Sequence, residues 1–249
     1  MDILEFILLG ILVGALTGIT GSSGVVAVVP ALSIINRYDV ATAIGTSLFI
    51  DIVTSSIVFI VYLKNKNVNT SIMLPFAIGS IIGSQAGVRI AVSIPSFILK
   101  DVFGSFLLLM GVYSVLRRKK NVTSKNSILG GKCKFLLAFS ISIIISLATG
   151  LMGASGGIMY LIAMLFIFKE DVRVAVGTAT ALMIISASSG ATGYFFYGRI
   201  DLIAGIVIGV TSLISGYFFA KLGNKIKRET VNKVLIVMFF TIGIIQIAY

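Results

Sequence analysis

Asp51 is the one carboxylate set deep inside an apolar run, in TSLFIDIVTSSIVFIVYL. It stands 12 residues into the segment 40–63. If that segment crosses a bilayer, the carboxylate lies near the middle and needs a partner, water or a proton. The other acids, Asp2, Glu5, Asp39, Asp101, Glu170, Asp171, Asp201 and Glu229, stand at segment ends or in links. This placement suits a proton or sodium coupling site. It also suits a protonated or hydrogen-bonded packing residue, or one at an oligomer interface.

Two glycine-serine clusters interrupt apolar runs: GITGSSGVVAVVP at Gly18–Pro30 and GLMGASGGIMYLI at Gly150–Ile162. Broken backbone in hydrocarbon is tolerated only where protein or a water-filled cavity surrounds it. If the clusters meet near the midplane, the short helix after each presents free N–H groups and a positive dipole end to an anion. Gly21, Ser22, Ser23, Gly24, Gly153, Ser155 and Gly156 are then candidate anion-binding residues. Close packing of helices through small residues is the alternative. Thr46, Ser47, Thr178 and Thr180, at the start of the next helices, form a second layer. They either line the path or bond to the preceding helical turn.

These residues are positioned by a chain of 249 residues, 57% hydrophobic and 12% charged, with mean hydropathy +1.10. That composition is an integral membrane protein's. The net charge of +11 comes from bases clustered in short links. It points to topology and lipid headgroups rather than nucleic acid. Cys133 is the only cysteine, so no intrachain disulfide forms, and histidine is absent. No cofactor or metal is implied, and no Walker sequence is present. An enzyme fits poorly, because no histidine and no pair of buried carboxylates is available for acid–base work. The N-terminal MDILEFILLGILVGALTG has no basic leader, so it reads as part of the fold.

Apolar segments fall at about 3–20, 24–36, 40–63, 71–92, 97–116, 134–151, 156–168, 174–197, 201–220 and 231–248. Continuous apolar runs without alternation predict helices, not barrel strands. The segments 24–36 and 156–168 are too short for ordinary spans and suit re-entrant or half-depth helices. Gln85 reads as a satisfied packing residue. Arg89 reads as a headgroup anchor, and Tyr62, Tyr194, Phe195 and Tyr197 as an interfacial belt. Gly79, Gly83 and Gly87 form a small-residue stripe that packs helices either within a monomer or between protomers of a homo-oligomer.

The second half repeats the first at an offset of 132: Gly18 on Gly150, Asp39 on Asp171, Gly45 on Gly177, Thr46 on Thr178, Tyr62 on Tyr194, Ser80 on Ser212. Residues 1–117 and 134–249 are thus two repeats, joined by a basic link at 118–133. Asp51 breaks the symmetry, its counterpart being Met183. Orientation follows from charge. If the stretch holding each glycine cluster crosses an even number of times, the repeats are inverted. With the link cytoplasmic, only Arg37, Arg89, Lys100 and Arg199 of the 20 basic residues then fall outside. If it crosses once, the repeats are parallel and the bases divide evenly. The positive-inside bias selects the inverted arrangement, with both termini outside. The expectation is an all-α integral membrane protein of two inverted repeats, with about 8–10 transmembrane helices counting short or re-entrant ones. Inverted repeats with interrupted helices at matching places point to a secondary transporter.

The chain resembles the sulfite exporter TauE/SafE family over nearly its whole length. The resemblance rests on GSSGVVAVVP at Gly21–Pro30 with AIGTS at Ala43–Ser47, and on GASGG at Gly153–Gly157 with AVGTAT at Ala175–Thr180. Ser23, Val25 and Ser155 stand where the family more often has glycine, and Ile162 replaces the proline retained at Pro30. The resemblance implies export or uptake of a small sulfur-containing anion, such as sulfite or an organosulfonate, coupled to an ion gradient. An anion channel on the same frame is the competing reading, and saturable uphill transport separates the two.

Overall fold

The computed structural model describes residues 3–20, 27–35, 38–117, 131–153 and 156–223, with short pieces between 236 and 245. Every regular element among them is helical. In order they are α1 (Ile3–Thr20), α2 (Val28–Pro30), α3 (Val40–Lys64), α4 (Met73–Ser93), α5 (Ser96–Arg117), α6 (Gly131–Met152), α7 (Gly157–Ile162), α8 (Val172–Phe196) and α9 (Leu202–Gly223). Helix α6 begins inside the predicted basic link, so Cys133 lies in its first turn, exposed.

Five helices among the described residues are long and apolar enough to cross a membrane: Val40–Lys64, Thr70–Ser93, Cys133–Met152, Val174–Phe196 and Leu202–Phe219. Their outward faces carry exposed Ile, Leu, Val and Phe, such as Ile78, Ile144 and Ile203, as a lipid-facing surface requires. The chain is an all-α integral membrane protein.

The two short segments take the same form. Helix α2 runs into a π-helical stretch at Ala31–Ile35, and α7 into one at Ala163–Ile167, equivalent positions at the 132-residue offset. π-helical geometry inside an α-helix is uncommon and gathers at functional sites.

The main packing partners lie across the halves. Helix α4 lies along α6, α1 along α9, and α3 along α8. Small residues allow these close approaches. A side chain at Gly10 would enter Thr211, and one at Gly79 would enter Ser142. These are one contact seen twice, with glycine and hydroxyl exchanged between equivalent positions. Gly14 with Ser215 and Gly83 with Ser146 repeat it one turn further on. The rising numbers on both sides make α1 parallel to α9 and α4 parallel to α6. The stripe Gly79, Gly83 and Gly87 is therefore used inside the chain, against α6.

Helices α3 and α8 run antiparallel. Gly45, early in α3, packs on Tyr194, late in α8. Gly177, early in α8, packs on Tyr62, late in α3. Tyr194 corrects one expectation. It is fully buried, and its hydroxyl donates to the Gly150 carbonyl at 2.8 Å, so it does not belong to an interfacial belt. Phe195 and Tyr197 are exposed. Gln85 is a satisfied packing residue, donating to the Ser189 carbonyl at 2.6 Å.

Candidate functional site

The α6–α7 break is where predicted residues meet. Helix α6 ends at Gly153, whose N–H donates to the Thr149 carbonyl at 2.8 Å. Its φ of +61° is the left-handed conformation that glycine adopts at helix ends. The same residue abuts the start of α3. A Cβ there would stand 2.7 Å from Ser47 Oγ and 2.8 Å from Ile44 Cγ2. Ser47 Oγ donates to the Ile44 carbonyl at 2.7 Å and reaches the Gly153 carbonyl at 3.3 Å. Gly156, just before α7, is held between Thr149, Ile145 and Tyr160. So Ser47, Gly153 and Gly156 come together. Gly21, Ser22, Ser23, Gly24 and Ser155 lie outside the described residues.

Asp51 is one helical turn beyond Ser47 on α3 and 1% exposed. Ser55 follows at the next turn, also 1% exposed. Positions i and i+4 share a helix face, so Ser47, Asp51 and Ser55 form a buried polar stripe leading away from the α6–α7 break. Thr54 turns back on its own helix and donates to the Ile50 carbonyl at 2.8 Å.

Thr46 and Thr178 are fully buried, and each holds the other half. Thr46 Oγ1 accepts from the Asp201 N–H at 3.0 Å, and Thr178 Oγ1 accepts from the Asn69 N–H at 2.9 Å. Asn69 and Asp201 are themselves equivalent. Each caps the turn that follows it, Asn69 Oδ1 accepting from the Ser71 N–H and Asp201 Oδ1 from the Ala204 N–H, both at 2.9 Å. Each also reaches the linker before the opposite long helix. Tyr38 donates its hydroxyl to Asp201 Oδ2 at 2.5 Å, and Asn69 Nδ2 donates to Glu170 Oε1 at 2.6 Å. Tyr38 and Glu170 are equivalent too, with the donor and acceptor roles reversed. Because α3 and α8 are antiparallel, the two clusters sit at opposite ends of that pair. One end adds an ion pair, Arg199 with Asp39 at 2.9 Å. Burial, and the adjacent Asp201 carboxylate, push the Tyr38 phenol up to about 12. Thr180 bonds only to its own preceding turn, at the Gly177 and Val176 carbonyls.

Sequence reasoning passed over two features. Tyr160 of α7 is fully buried, with its hydroxyl 2.7 Å from Ser80 Oγ and the Ser146 and Ser186 hydroxyls alongside. The signal was four polar residues in four apolar runs. The Asn69 and Asp201 brackets were visible only as loop residues at the repeat offset. A groove of about 410 Å³ lies along α5, past Asp101, Ser105 and Phe106, and ends at Met152, the residue before the break.

Arranged this way, the interior offers hydroxyls, broken backbone and one carboxylate. Among the described residues no group of three or more His, Cys, Asp or Glu could hold a metal. The sequence pattern described as sulfite exporter TauE/SafE matches residues 6–245. Similar chains include the probable membrane transporter protein YunE of Bacillus subtilis, 24% identical over 98% of this chain and 96% of that one. The probable membrane transporter protein MJ0441 of Methanocaldococcus jannaschii is 29% identical over 95% of this chain and 90% of its own. The probable membrane transporter protein YjnA of Bacillus subtilis is 27% identical over 82% and 88%. No solved structure matches the chain. With helices of membrane-crossing length and a match over nearly its whole length, the chain is a membrane transporter protein of the sulfite exporter TauE/SafE family.

Proposed function

We propose that the protein is a secondary transporter that exports a small sulfur-containing anion, such as sulfite or an organosulfonate, across the cytoplasmic membrane. An ion gradient drives it. Its halves form an inverted pair, with the basic link in the cytoplasm and both termini on the far side.

The observation that carries this reading is the reciprocal bracket around α3 and α8. Thr46 holds Asp201 at one end, and Thr178 holds Asn69 at the other. A frame with two equivalent ends and helix breaks at matching places is what alternating access around one central site uses. The anion path runs past the glycine-serine clusters at Gly21–Gly24 and Gly153–Gly156, with Ser47 beside the second. Asp51 is the coupling residue.

The test is uptake of radiolabelled sulfite into proteoliposomes, with and without an imposed proton or sodium gradient. Saturable accumulation against the sulfite gradient is the expected result. Sulfite flux that only dissipates its gradient would make the protein a channel. Flux of another small anion without sulfite would keep the frame and change the substrate.

A further inference from the structure

We infer that Asp51, Ser55, Ser47 and the Gly153 carbonyl form a sodium site, which makes sodium the coupling ion. This rests on the transporter reading above for its purpose, but not for its chemistry.

Charge balance comes first. Asp51 is 1% exposed in the middle of α3. No lysine or arginine stands within 38–63 of its own segment. Helices α8 and α9, which pack on α3, carry none within 174–198 or 200–220. Residues 135–168, which include α7 and most of α6, carry none either. A buried carboxylate with no basic side chain from these elements is neutralised by a proton or by a bound cation.

The second observation separates these two. Ser55 Oγ, one turn from Asp51 on the same face, is buried and has no hydrogen-bond partner among the described residues. A buried hydroxyl left this way is costly, and a bound ion would use its lone pairs. Residues at i and i+4 have their Cβ atoms about 5–6 Å apart, close enough for one ion to bridge them. On the other side of Asp51, Ser47 Oγ lies against the Gly153 carbonyl, at the C-terminal end of α6. That helix end carries the negative end of the dipole, and unwound carbonyls there bind cations in transporters. All four donors are oxygens, the ligand set of a hard cation. One carboxylate gives a neutral site with a monovalent ion and leaves a net charge with a divalent one.

The experiment is direct binding of ²²Na⁺ to the purified full chain in nanodiscs, against a potassium background. It is paired with thermal stability in sodium and in potassium. The wild type is expected to bind saturably and to be stabilised by sodium. Ser55→Ala should weaken binding by about tenfold or more, and Asp51→Asn should abolish it. Ser56→Ala removes a hydroxyl that bonds to the Ile52 carbonyl and should bind as wild type does. Absence of sodium binding by the wild type overturns the proposal, as does unchanged binding in both Asp51→Asn and Ser55→Ala. If proton-driven sulfite uptake persists without sodium, the ion is a proton: this proposal falls and the transporter reading stands. If sodium binds as described and sulfite does not move, the site stands and the sulfite reading falls.

Discussion

Thr46 and Thr178 stand 132 residues apart and make the same bond in opposite directions. Each accepts the backbone N–H at the start of the other half's last long hairpin arm, Asp201 at 3.0 Å and Asn69 at 2.9 Å. The threonine side chains thus fix the ends of the antiparallel α3–α8 pair to loops of the opposite half.

Thr46→Val and Thr178→Val keep shape and remove the acceptor. Each leaves a partly buried N–H unsatisfied, which costs about 1–3 kcal/mol. The midpoint of thermal unfolding should fall by roughly 2–4 °C per kcal/mol in a chain of this size. Serine at either position should restore it. Valine variants with wild-type stability and weakened sulfite affinity would instead give the hydroxyls to the substrate path.

Gly153→Ala places a Cβ 2.7 Å from Ser47 Oγ at a residue with φ +61°. The left-handed conformation alone costs a non-glycine residue about 1–2 kcal/mol. The variant should insert and fold with a lower midpoint, and its sulfite transport should be lost. Proteoliposome uptake beside a detergent melting curve distinguishes loss of function from loss of fold.

Gly83→Leu drives a side chain into the Ile143 carbonyl and Ser146. Overpacking of this kind costs about 1–3 kcal/mol or more, and here it falls on a main contact between the halves. The expected result is poor yield and an aggregated profile on size exclusion. Gly79→Ala, milder at the same interface, should lower stability without changing the oligomeric state, because that stripe faces α6.

The Tyr38 phenol, pushed up to about 12 by burial and by Asp201, keeps its proton throughout the physiological range. A folded-state value above the ordinary 10 means that the bond's contribution is complete below about 10 and lost as pH rises through about 12. Between pH 6 and 9 the stability profiles of wild type and Tyr38→Phe should run parallel. Profiles that diverge in that window would show that another group controls this end.

Much of the fold was legible because lipid imposes long uninterrupted apolar runs. The expected segments 3–20, 40–63 and 201–220 match α1, α3 and α9 closely. The short segments were legible by length, but their π-helical ends at Ala31–Ile35 and Ala163–Ile167 have no composition of their own. Repeat offsets reveal which residues are equivalent, not which residues touch. So Thr46 and Thr178 were recognisable as a pair, while their partners Asp201 and Asn69 were not. Tyr194 was misread for a related reason. An aromatic near a helix end looks interfacial until another helix covers it, as α6 does through Gly150. Asp51 stood out because one charge in an apolar run is visible without coordinates, and Ser55 did not, because serine is common there.

The packing of α1 on α9, α4 on α6 and α3 on α8 has a consequence for how the protein is made. At about 5–20 residues per second, α9 leaves the ribosome on the order of ten seconds or more after α1. Through that interval the first half waits in the bilayer with its glycine faces turned to lipid or to whatever shields them. A truncated N-terminal half therefore lacks the helices that complete it, and duplication of an ancestral gene had to begin from two copies already clasped together.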